Sequence, residues 1–224
     1  MGKDNQPKIR QAEQLARKEG RRAGYDRILI VSEGSKTEPL YLNEIRAEYR
    51  LSTTNVQVQP SQFGTTPLQV VEYAEHLFVN GDDARNIQPR AFEKVYAVID
   101  RDDHATYHNA LAKAAARDRK LRSELNQAVR FEAIASVPCF ELWLLLHFED
   151  VLAPLHRTEV YQRLSQFLPG YDKGQEGHFA QTRQHLDVAT QRAVQLAAQS
   201  NAYHGTDPYT DIHHLVTLLT TLKH

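Results

Sequence analysis

Two uniformly aliphatic runs dominate the hydropathy pattern of the chain. Arg27-Ile28-Leu29-Ile30-Val31-Ser32 stops at Glu33-Gly34, and Lys94-Val95-Tyr96-Ala97-Val98-Ile99 closes on Asp100-Arg101-Asp102-Asp103. Short runs without polar alternation mark strands covered on both faces. After the first run, Pro39 sits in a first helical turn, and Leu40, Tyr41, Glu44, Ile45 and Tyr49 recur at helical spacing, which predicts a strand-loop-helix unit. Val56 and Val58 alternate in a second strand, and the loop Ser61-Gln62-Phe63-Gly64-Thr65 leads into a helix from Thr66-Pro67 towards Asn80. Beyond the third strand the pattern predicts a long alanine-rich helix from Tyr107 to Leu125. A fourth strand follows over Arg130 to Ala135, then a strongly apolar helix over Phe140 to Phe148. Strand and helix alternate throughout, which predicts an α/β fold: a Rossmann-like, mainly parallel sheet with right-handed crossovers, flanked by helices.

Past Asp150 the strand signal fades. Three helices are predicted there, Thr158 to Phe167, Phe179 to Gln199 and Thr210 to Leu222, separated by turn-rich stretches at Pro169 to Gly174 and Asn201 to Pro208. The expected organisation is a flexible basic arm over 1–26, an α/β core over 27–150, and an α-helical C-terminal extension over 151–224 packed on that core. The 224 residues exceed the ~150 usual for one domain, in keeping with a core that carries an appended lobe.

Composition narrows the function classes. The 27 Lys and Arg against 28 Asp and Glu remove the diffuse basic field of a protein that coats nucleic acid by charge alone, so any such contact has to be local or metal-assisted. Cys139 stands alone, which excludes an intrachain disulfide and a Cys-based zinc site and suits a reducing cytoplasm. His213 and His214 are adjacent and face different sides of a helix, and no His-Glu-x-x-His motif occurs, so zinc is not expected. The amino terminus has no apolar leader core and no 18-residue apolar run occurs, so the expectation is a soluble cytoplasmic protein with no membrane contact.

The chemistry gathers at the strand ends. In an open parallel sheet, ligands bind outside the carboxyl ends of the strands, where Glu33, Asp100 and Asp102 fall. Asp100 and Asp102 are two apart in an extended segment, so their carboxylates can share one hard cation, with Glu33 completing the shell or moving a proton. Three crowded carboxylates repel one another unless a cation neutralises them. Each acid taken singly also reads as a helix cap or turn residue.

These residues carry a resemblance. An aliphatic strand ending in Glu-Gly, joined later by one ending in Asp-x-Asp, resembles the Toprim domain of topoisomerases, primases and OLD-type nucleases. More narrowly, the blocks ILIVSEGSKTEPLYLNEI, VYAVIDRDDH and ASVPCFELWLLLHF, with the late Tyr171-x-Lys173 and Asp207-Pro208-Tyr209-Thr210, resemble the RloB-like family in that order. The resemblance implies a Toprim fold and a nuclease dependent on Mg²⁺ or Mn²⁺. It also implies a prokaryotic restriction or anti-phage defence setting, with DNA or RNA, tRNA included, as substrate and in some loci an ATPase partner. It gives Glu33, Asp100 and Asp102 the catalytic, metal-binding roles. Glu38 resembles the second glutamate of the OLD-type block, displaced by one inserted residue.

Asp103 and Glu141 are further candidate ligands, Glu141 because a lone acid in so apolar a helix must find a partner or stay wet. Lys36 and Arg101 are candidate substrate contacts, or plain solvated cations. Trp143 and Cys139 read as core, and the Ser61 to Pro67 loop as a phosphate cradle or an ordinary capped turn. The alternative to an enzyme is a Toprim-shaped interaction module whose acidic cleft docks or senses, with the helical extension on an ATPase.

Overall fold

The computed structural model describes residues 25–203 and 208–222, so the basic arm lies outside it except for Tyr25 and Asp26. The sheet has five strands in the order β2-β1-β3-β4-β5: β1 (Ile28–Ser32), β2 (Val56–Pro60), β3 (Lys94–Asp100), β4 (Arg130–Val137) and β5 (Tyr209–Thr210). The first four are parallel and β5 runs antiparallel to β4, pairing Ser136 with Thr210 and Val137 with Tyr209. The α/β expectation therefore holds.

Alternation along β1 divides the interior. Ile28 and Ile30 face one core, with α1 (Thr37–Glu48), α4 (Glu141–Leu145), α5 (Arg157–Phe167), α7 (Leu186–Gln199) and α8 (Ile212–Thr221). Leu29 and Val31 face the other, with α2 (Pro67–Asn80) and α3 (Tyr107–Arg117). All four side chains are fully buried, and burial on both faces is why the strand reads as an unbroken aliphatic run. Val160, Leu164, Ala189 and Leu215 of the C-terminal helices belong to the same apolar cluster as Ile28 and Ile30, so the extension helps build the core. Trp143 lies in that cluster too, its indole N–H donating to the Tyr41 hydroxyl at 2.9 Å.

Four boundaries depart from the sequence reading. The alanine-rich helix ends at Arg117 instead of Leu125. The Asp118 carboxylate turns back to accept from the Phe131 amide at 3.0 Å, and a bridge between Arg122 and Ala128 folds the intervening residues. The apolar helix after β4 shortens to the five residues of α4. The stretch from Phe179 to Gln199 splits into the short α6 (His178–Thr182), a 3₁₀ turn at Arg183–His185, and α7. Finally, the extension contributes a strand: β5 occupies Tyr209–Thr210, ahead of the helix that was expected to start at Thr210. Among the described residues no helix is long and apolar enough to cross a membrane.

The outer edge of β2 is guarded. The Arg46 guanidinium, from the last turn of α1, donates to the Val56 carbonyl at 3.3 Å, and Pro60 ends the strand without an amide hydrogen.

Candidate active site

Parallel register delivers the acids to one rim. Ser32 lies opposite Val98, and Asp100 opposite Ser136, so β1, β3 and β4 end together. Glu33 follows β1, Asp100 closes β3, Asp102 stands two residues on, and Glu141 opens α4 just after β4. Glu38 joins them from the first turn of α1.

Glu33 is tied down by backbone. Its amide donates to the Val98 carbonyl at 3.1 Å, and its Oε2 accepts from the Asp100 amide at 3.2 Å. Its other oxygen lies 3.4 Å from His104 Nε2. Burial lifts its pKa to about 7 against the lowering effect of the Asp100 amide, and the charges of Glu38 and Asp102 add to the rise. Glu38 is buried over Gly34, where a Cβ would overlap its carboxylate and meet its Cδ at 2.9 Å. Burial, reinforced by Glu141, pushes its pKa to about 7 as well. Glycine at 34 leaves the space that the Glu38 carboxylate occupies, which ties the Glu-Gly pair after β1 to the position of a second acid.

Asp100 is 7% exposed, and burial holds its pKa well above the usual carboxylate range, helped by the charges of Glu38, Glu141 and Glu33. The Phe140 amide donates to it, but its Oδ1 meets no hydrogen-bond partner among the described residues. Asp102 adopts a φ of 36°, a left-handed conformation that an aspartate tolerates better than most residues. Its amide is anchored on the Pro138 carbonyl at 3.0 Å, and its Oδ2 accepts from Arg157 Nη1 at 2.6 Å. Burial raises its pKa while Arg157, His104 and Lys173 pull it back. Glu141 is 1% exposed; its Oε1 accepts from the Tyr171 hydroxyl at 3.0 Å and lies 3.3 Å from Lys173 Nζ. Asp102 Oδ1 and Glu141 Oε2 share the condition of Asp100 Oδ1, buried without a partner among the described residues.

The other predicted residues lie at the margin. Lys36 is exposed at the start of α1, its ammonium 3.1 Å from where a Cβ on Gly174 would stand. Arg101 is half-buried and donates its amide to the Ser136 carbonyl at 2.9 Å; with exposed Asp103 it lines a hollow of about 320 Å³ beside Asp102. The Ser61 to Pro67 loop is a capped turn, the Gln69 Oε1 accepting from both the Thr66 amide and its hydroxyl. Cys139 is buried, and its thiol pKa is pushed up by burial and by Glu141.

Three residues of the site escaped the sequence reading. Arg157, Tyr161 and Lys173 come from the helical extension, and both cations rest against the Tyr161 ring, Arg157 Cζ at 5.8 Å and Lys173 Nζ at 4.8 Å from its centroid. The Tyr171-x-Lys173 block was a usable signal for Lys173. Arg157 had none, standing 55 positions from the aspartate it meets.

All the donors offered here are carboxylate oxygens, and three of those oxygens are buried and unsatisfied, a set chemically suited to a hard cation such as Mg²⁺ or Mn²⁺. Yet among the described residues no three His, Cys, Asp or Glu side chains form a ready-made metal centre, and Asp102 and Glu141 each turn one oxygen to a cation of the chain. No curated protein and no solved structure matches the chain. A family model, described as RloB-like protein, does match residues 28–219, from the first residue of β1 into α8 and across every element that supplies this rim, and the chain belongs to that family.

Proposed function

We propose that the protein is a divalent-metal-dependent nuclease of Toprim type, cleaving nucleic-acid phosphodiester bonds as an effector in a prokaryotic defence locus. The observation that carries this reading is the gathering of Glu33, Glu38, Asp100, Asp102 and Glu141 at the strand ends, with three of their buried oxygens unpartnered among the described residues, an arrangement that a divalent cation would neutralise. Glu33, Asp100 and Asp102 would hold the metal, with Glu38 and Glu141 within reach of their charge. Bound there, such a metal polarises the phosphate and acidifies an attacking water. Glu33, its carboxylate steadied by the Asp100 amide, would either complete the shell of a metal held by Asp100 and Asp102 or stay outside it and accept a proton. Arg157 and Lys173, paired with Asp102 and Glu141, would meet incoming phosphate oxygens, with exposed Lys36 a further candidate contact.

The test is cleavage of labelled single- and double-stranded DNA and RNA with Mg²⁺ or Mn²⁺, against EDTA. Glu33→Ala and Asp102→Ala should each remove at least about a thousandfold of metal-dependent activity with folding unchanged. The pairing of Asp102 with Arg157 and Glu141 with Lys173 favours a second reading, a Toprim-shaped interaction module that partners a defence ATPase. That reading is the one left standing if no nucleic acid is cut with any divalent ion. Gly34→Ala should expel the Glu38 carboxylate and cost about 100-fold in activity through misplacement of the rim, checked by kinetics beside an unchanged far-UV spectrum.

A further inference from the structure

Two hollows flank α5, one lined by Arg157 and the other by Tyr161 and Lys173. One, of about 320 Å³, sets Arg101, Asp102 and Arg157 over an apolar floor of Pro138, Pro154 and Leu155. The other, of about 380 Å³, is walled by Tyr161, Tyr171 and Lys173, with Gln162, Ser165 and Asp172 supplying polar groups. Arg157, Tyr161 and Ser165 follow one another at four-residue steps in α5, so one helix face runs along both hollows. Arg157 Nη2 donates to the Tyr161 hydroxyl at 3.3 Å and Lys173 closes on the same ring, so the cation that lines the first hollow and the one that lines the second share one aromatic support.

We propose that this furrow takes single-stranded nucleic acid, one unstacked nucleoside in each hollow and the intervening phosphates on Arg157 and Lys173. The inference rests on the nuclease reading and adds the substrate class to it. Each hollow has an apolar or aromatic wall for the face of a base and polar groups for its edge, and a base paired and stacked in a duplex has no free face to offer. The net charge of −1 gives the chain no diffuse basic field, and two cations on one aromatic ring suit a short local grip.

The test is fluorescence anisotropy of the full chain with labelled oligonucleotides in calcium buffer, across a salt series. Single strands should bind at least tenfold more tightly than duplexes of the same sequence. Two phosphate contacts give a log-log salt slope of about −1.4, and Arg157→Gln or Lys173→Gln should each reduce its magnitude by about 0.7. Arg157→Lys should keep the slope, which separates lost charge from lost folding, and Tyr161→Leu should weaken binding without changing it. Paired DNA and RNA single strands then show which sugar the furrow prefers. Duplex binding equal to or tighter than single-strand binding, no binding of any oligonucleotide, or a slope indifferent to both charge removals overturns the proposal. Metal-dependent cleavage without strand preference would sink the furrow and spare the nuclease reading; strand-selective binding without cleavage would do the reverse.

Discussion

Replacing Asp100 by Asn should raise the melting temperature in metal-free buffer at pH 7.5 while abolishing metal-dependent cleavage. Asp100 is buried among Glu33, Glu38 and Glu141, and no ion pair from a Lys or Arg reaches it among the described residues. Its pKa is raised in the folded chain, so the unfolded chain gives up that proton first as pH climbs from the ordinary aspartate range. Over that interval the native state loses stability, and the loss is complete once pH passes the folded value. Asparagine keeps an acceptor for the Phe140 amide and presents a donor to the neighbouring carboxylates, removing the penalty. A gain of about 1–2 kcal/mol, roughly 2–4 °C per kcal/mol at this size, is expected. It should vanish below about pH 4, where the unfolded aspartate is itself protonated. The measurement is a calorimetric melt across pH for both proteins. A melting temperature for Asp100→Asn below that of the wild type at every pH would mean that the carboxylate is satisfied as it stands.

The second large effect lies in the core. His147 is 2% exposed, its Nδ1 hydrogen-bonded to the Trp143 carbonyl at 2.9 Å and its Nε2 without a partner among the described residues. Burial lowers its pKa from 6.5 to about 4, and His213, bonded to the Thr210 carbonyl at 3.1 Å, is lowered to about 4 too. Both rings are neutral in the fold. Below pH 6.5 the unfolded chain takes up the protons the native state refuses, so this contribution is intact above pH 6.5 and drains away as pH falls towards about 4. Each ring costs about 1.4 kcal/mol per pH unit across that window. His147→Asn retains a donor for the Trp143 carbonyl, and its stability-pH curve should be shallower by about that amount. Urea titrations between pH 7 and 4 measure the slope, and a slope identical to wild type would place the ring in contact with water.

What could be read from the chain follows from how far each signal extends. β1 and β3 were legible because burial on both faces forces every position to be aliphatic, and Glu33-Gly34 and Asp100-x-Asp102 because they end those runs. Alanine propensity overstated α3, whose last expected turns gave way to the Asp118 bond with Phe131. The two residues of β5 are too few to show a period, and antiparallel pairing gave no local sign of itself. The acids of the site were found singly; their counter-charges were not. Lys173 stood in a block that the family resemblance singles out, whereas Arg157 sits in a helix with an ordinary surface pattern, and only the fold carries the two to Glu141 and Asp102.

The guarded margin of β2 limits how copies of this chain can associate. Parallel register turns the amides of Gln57 and Gln59 inward to β1, Arg46 already takes the outward carbonyl of Val56, and Pro60 has no hydrogen to give. Val58 is left as the single residue of the strand with an outward amide and carbonyl to offer, too little for intermolecular β-augmentation. Fibre-like stacking through this border is thereby disfavoured.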